Sequence, residues 1–132
     1  MFKIHKKLKY ALIALKHMAH SSENGLVTAK EICSKYDIPF DPTSRVLQLM
    51  AQQGILKAEQ GAYGGYRLAG DLGKLTVYEL SRTVVGEFSV TDCAAAKASC
   101  DRLAYCVLKE AMVKLNAKVV KTFKDVVVTE MI

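Results

Sequence analysis

The chain has 132 residues, of which 51% are apolar and 24% charged, with a formal net charge of +6; this suits one folded domain with an added arm. No apolar run approaches the roughly 18 to 20 residues of a membrane span, and the basic N-terminus has no small-residue cleavage site, so a cytoplasmic protein without membrane attachment is expected. Lys3, Lys6, Lys7, Lys9 and Lys16 stand in the first twenty residues with no acid among them, which points to a polyanion such as nucleic acid, less often to an anionic membrane surface, or otherwise to a solvated helix face.

Ile4, Leu8, Ala11 or Leu12, Leu15 and Met18 recur at helical spacing and predict an amphipathic first helix ending at the "SSENG" break. Thr28 and Glu31 form a capping-box pattern that starts a short second helix. Asp41 is expected to cap a third helix, "PTSRVLQLMAQQ", with Pro42 at its first position and Gly54 just past its end. "ILKAEQ" and "YRLAG" then flank "GAYGG", two short strands joined by a glycine-rich turn. Thr76 and Glu79 make a second capping box before "VYELSRTV". A loop holding cysteines leads into a last helix expected to begin near Asp101. Its apolar stripe runs through Leu108, Met112, Leu115, Val119 and Val126, more than one small core needs and suited to coiled-coil-like pairing.

Helix, short helix, turn, helix and hairpin is the order of a winged helix-turn-helix. The expected fold is therefore mainly α with a small β-hairpin wing, followed by a long C-terminal dimerisation helix. Residues 1–84 would form the DNA-binding domain, 85–106 a cysteine-bearing loop, and 107–132 the dimerisation helix and tail. On the third helix, Val46, Leu47 and Met50 are expected to pack inward. Thr43, Ser44, Arg45, Gln48 and Gln52 are left outward, hydroxyls, a guanidinium and amides of the kind that meet phosphates and base edges. In the wing, Gly61, Gly64 and Gly65 are expected to supply positive φ and close approach to phosphate. Tyr63 and Arg67 are candidate backbone contacts, and Tyr66 is expected to turn inward.

Cys93, Cys100 and Cys106 fall within fourteen residues of a chain with four cysteines. Three soft thiolates suit an iron–sulfur cluster; zinc more usually uses paired C-x-x-C spacings, absent here. A disulfide among the three is the alternative, turning the same DNA-binding protein into a thiol switch. Cys33, beside Ile32, reads as a small core residue. No nucleophile–base set, carboxylate pair or phosphate loop suggests an enzyme or an electron carrier, the remote alternative.

Four stretches together resemble the Rrf-two family of bacterial winged-helix regulators: "KLKYALIAL", "IPFDPTSRVLQLMAQQGIL", "GAYGGYRLAG" and the three cysteines before the final helix. The resemblance covers nearly the whole chain. It implies a homodimer paired through the last helix, binding double-stranded operator DNA under control of an iron–sulfur cluster, 2Fe–2S or 4Fe–4S, on Cys93, Cys100 and Cys106. The sequence also departs from the family. Six residues separate Cys93 from Cys100 and five separate Cys100 from Cys106, where the family usually has equal gaps. The histidine that completes the IscR-type site aligns with Lys109, and the partner aspartate of the NsrR-type site aligns with Lys9. Neither ammonium can take that role while protonated; His5, in the same arm, is a candidate fourth ligand or an ordinary surface residue, with water, a small thiol or a backbone group as the other candidates. Base-contacting positions of the IscR type align with Pro39, Asp41, Ser44, Arg45 and Gln60, so a different operator is expected.

Overall fold

The computed structural model describes residues 3–21, 25–94, 100–102 and 104–132. Its elements run α1 (Lys6–His20), α2 (Ala29–Tyr36), α3 (Phe40–Gln52), β1 (Leu56–Glu59), β2 (Gly65–Leu68), α4 (Val77–Val84) and α5 (Lys109–Asp125), with short 3-10 turns at Asp92–Ala94 and Val128–Glu130.

The starts of α1, α2 and α4 are each capped by a side chain. His5 caps α1, its Nδ1 accepting from the Lys7 amide at 3.1 Å, an end that no rule on Ser, Thr, Asp or Asn would have marked. Thr28 caps α2 by accepting from the Glu31 amide at 3.1 Å. The expected return bond from Glu31 is replaced: its carboxylate accepts from His17 Nε2 at 2.9 Å. The α4 box is complete, with Glu79 N to Thr76 Oγ1 at 3.1 Å and Thr76 N to Glu79 Oε2 at 3.0 Å. Helix α3 departs from expectation. Pro39 is its cap and Phe40 its first helical residue, so Asp41 sits inside the first turn and Pro42 one step further. Pro42 is still within the turn whose N–H groups lack partners, so its missing donor costs nothing there, while Asp41 favours the positive end of the helix dipole.

The core is assembled from Leu8, Ala11, Ala14 and Leu15 of α1, Ile32 of α2, Val46, Leu47 and Met50 of α3, and Leu80 and Val84 of α4. Full burial of each large aliphatic side chain is worth about 1.5–3 kcal/mol. Val128, fully buried, joins this core from the C-terminal tail. The tail is fastened by Val77 N to Val126 O at 2.9 Å and Val128 N to Leu75 O at 2.8 Å. Residues 107–132 thus return to the body that α1 to α4 build, an attachment for which the sequence carries no local signal.

His17 is 6% exposed within this body. Its Nε2 donates to Glu31 and its Nδ1 lies 3.1 Å from the Tyr36 hydroxyl, joining α1 to both ends of α2. His17→Ala removes both bonds and leaves a void, and is expected to lower unfolding stability by about 2–4 kcal/mol. A lower urea midpoint at unchanged slope checks this.

The final helix starts later than the sequence suggested. Asp101 and Arg102 lie in turns, Tyr105 N bonds Arg102 O at 3.0 Å, and helix begins only at Lys109. Cys106 therefore precedes α5 instead of lying on its first turns. Tyr105 and Val107 are 90% and 94% exposed, so neither side chain packs in a way that would hold a helix here.

Candidate DNA interface and cysteine segment

Helix α3 carries Val46, Leu47 and Met50 against the core, all fully buried, as their spacing predicts. Its outer side shows Asp41, Arg45, Gln48 and Gln52 exposed and Ser44 half-buried. Thr43 is a correction. It is fully buried, and its hydroxyl donates to the Pro39 carbonyl at 2.7 Å, so it faces the core and not solvent. The signal was present: Thr43 precedes Val46 and Leu47 by three and four residues, on the inward face. Its polar type masked it.

The wing pairs Leu56 with Leu68 and Glu59 with Gly65 in antiparallel register. Its base is fixed to the chain before α2 by reciprocal Val27–Tyr66 backbone bonds of 2.8 Å each, and Tyr66 packs against the core as expected. Of the three turn glycines only Gly61 has positive φ, at 120°. The other two serve internal contact: a Cβ at Gly64 would lie 2.6 Å from the Glu59 carbonyl oxygen, and one at Gly65 would lie 2.9 Å from that of Val27. The three glycines therefore shape the wing, and only one does so through left-handed backbone. Tyr63 is 92% exposed at the tip. Arg67 forms an ion pair with Glu59 across the strands. Such an exposed pair is worth at most about 1 kcal/mol, so Arg67 can exchange Glu59 for a phosphate at little cost. Gln60 is exposed beside it, as are Lys3, Lys6, Lys9 and Lys16 on the arm and α1.

The cysteine segment is linked to α5 from its N-terminal side. Val90 N donates to Asn116 Oδ1 at 2.8 Å, and the rings of Phe88 and Phe123 lie 4.9 Å apart. Asn116 escaped sequence reasoning because a lone amide among helix formers has no motif. Cys93 is half-buried with its Sγ 3.1 Å from Thr91 Oγ1, Cys100 is exposed, and Cys106 is half-buried. Residues 95–99 and 103, part of the expected loop, lie outside the described residues. The two family positions for a fourth ligand hold exposed lysines, Lys109 at the start of α5 and Lys9 on α1. His5, the other candidate, spends Nδ1 on its capping bond. Cys33 is only half-buried, its thiol 3.7 Å from the Pro39 carbonyl, so it lies at the α2–α3 junction and not in the core.

A helix-turn-helix whose second helix is polar outward, followed by a two-stranded wing on a helical body, defines a winged helix-turn-helix protein. A family model described as Rrf2, iron-dependent transcriptional regulator, matches residues 4–132, and the chain belongs to the Rrf2 family. A protein of Aquifex aeolicus (strain VF5) named as an HTH-type transcriptional regulator is 24% identical over 127 residues, covering 95% of this chain and 88% of that one. The HTH-type transcriptional regulator IscR of Cronobacter sakazakii is 28% identical over 87 residues, 66% of this chain and 54% of its own. Among solved structures, CymR, the global cysteine regulator of B. subtilis, superposes with a TM-score of 0.72 at 19% identity, covering 99% of this chain and 96% of that one. The IscR of T. potens does so at 0.69 and 19%, covering 98% and 85%. These structures share the fold. The family consists of transcriptional regulators, not enzymes. Among the described residues, no helix is long and apolar enough to cross a membrane.

Proposed function

We propose that the protein is a homodimeric regulator that binds operator DNA sequence-specifically, with affinity set by an iron–sulfur cluster on Cys93, Cys100 and Cys106. The observation that carries the DNA reading is the outer face of α3. Ser44, Arg45 and Gln48 are carried there on a helix locked from behind by three fully buried apolar residues, and the wing that follows in the chain exposes Tyr63 and Arg67. Arg45 has the fork geometry for guanine and Gln48 the amide for adenine; the lysines of the arm and α1 supply the salt-dependent attraction to phosphate. In this reading residues 1–84 read DNA, 85–106 sense, and 107–132 pair the two copies. A chain that acts on operator DNA works in the cytoplasm.

The donor chemistry suits a cluster, with three thiols within fourteen residues as soft ligands for iron and inorganic sulfide; among the described residues no three His, Cys, Asp or Glu side chains are gathered as a metal site, so in this reading the three thiols converge only on binding. A cluster bound there would supply a centre reactive toward oxidants and nitric oxide. The chain's own part is transmission. Asn116 and the Phe88–Phe123 pair hold the segment before Cys93 to α5, so a change in order at the cysteines reaches the pairing helix and, through it, the separation of the two α3 helices. The exposure of Cys100 favours a second reading in which a disulfide performs the switching. Anaerobic purification separates the two. Brown protein containing iron and sulfide supports the cluster, whereas colourless protein with a redox-dependent thiol count supports the disulfide.

Arg45→Ala is expected to weaken specific binding by about 1–3 kcal/mol and relax preference at one base position. Lys6→Ala, if it loses a phosphate contact, weakens all sequences evenly and lowers the salt slope by about one. Fluorescence anisotropy across a salt series measures both. Unchanged affinity and preference in Arg45→Ala would remove α3 from the interface.

A further inference from the structure

We infer that Phe40 is a specificity-determining residue, its ring reading the 5-methyl group of a thymine in the major groove. This rests on the operator reading above and adds to it an apolar contact between the aligned positions Pro39 and Asp41. Phe40 is the first residue of α3 and is 52% exposed, and the N-terminal residues of a recognition helix are those that meet base edges. It stands on one row with Ser44 and Gln48, each four residues on and each at or near the surface.

The ring is held on a rigid mount. The Thr43 hydroxyl closes on the Pro39 carbonyl at 2.7 Å, the Cys33 thiol approaches the same carbonyl at 3.7 Å, and Pro42 restricts the first turn. Little backbone freedom remains to be lost when the ring meets a partner. The chemistry then selects the partner. A phenyl ring neither donates nor accepts a conventional hydrogen bond, and the apolar group that an ordinary base pair offers at the major-groove edge is the thymine methyl.

The test begins by selecting a preferred duplex with the full-length protein and replacing each thymine singly with deoxyuridine, which removes the methyl and keeps the base pair. At one thymine per half-site, wild-type affinity should fall about fourfold, the weight of one buried methyl. Phe40→Ala should bind the thymine duplex more weakly and no longer distinguish it from the deoxyuridine duplex, whereas Phe40→Leu should retain part of the distinction. Because Phe40 is half-exposed, Phe40→Ala should lower the unfolding temperature only modestly and stay folded at the temperature of the binding assay. The inference is overturned if no deoxyuridine position affects the wild type, or if Phe40→Ala keeps the discrimination. Arg45→Ala on the same duplex separates the two failures. If it weakens binding while the deoxyuridine scan is silent, only the role of Phe40 falls; if it too is silent, the placement of α3 falls with it.

Discussion

Leu115→Glu is expected to abolish the dimer, leaving monomer or aggregate. Helix α5 has no buried residue in the single chain. Asn116 and Phe123 are engaged with their own body and Met112 and Val119 are half-buried, while Leu108, Val113 and Leu115 are 56%, 46% and 44% exposed. Of the sequence stripe, Leu108 and Leu115 are therefore its most exposed members, the ones the proposed dimer would cover. In a two-fold interface each substitution appears twice. An unpaired carboxylate buried on each side costs several kcal/mol, so the dimer dissociation constant should rise at least about a thousandfold. Sedimentation equilibrium measures it. A well-folded dimer of unchanged affinity would place the interface elsewhere.

Cys93→Ala, Cys100→Ala and Cys106→Ala are each expected to lose the visible absorption and most of the iron, and to share one DNA-binding phenotype. Three ligands closing one site fail together, since two thiolates from short connected segments hold a cluster poorly. Cys33→Ala should resemble wild type, because its thiol is half-buried and makes only a long contact to Pro39. His5→Ala should lower stability slightly through loss of the α1 cap, by about 0.5–2 kcal/mol. If it also hastens cluster loss, the arm reaches the site; an unchanged spectrum and lifetime would exclude His5 as a ligand. Full iron content in Cys100→Ala would overturn the three-thiol site itself. Anaerobic absorption spectra with iron and sulfide analysis decide each case.

The parts of this protein legible in its sequence are those governed by neighbours three or four residues apart. The Thr76–Glu79 box starts α4 at Val77, as the motif predicts, because both bonds close within one turn. The inward set Val46, Leu47 and Met50 follows from helical period, and the two strands from the turn between them. Their order along the chain suffices for the winged helix-turn-helix. Contacts between distant segments were decided by tertiary structure alone. Glu31 satisfies the capping pattern locally, yet its carboxylate goes to His17, fourteen residues away, since a buried imidazole needs a partner more than an exposed amide does. Gly64 and Gly65 are required because neighbouring backbone lies within 3 Å of where a Cβ would stand, which no turn rule reveals. Phe40 falls beside the buried row of α3 by period alone, yet the core leaves its ring half in water, because burial depends on what lies opposite and not on the helix's own pattern.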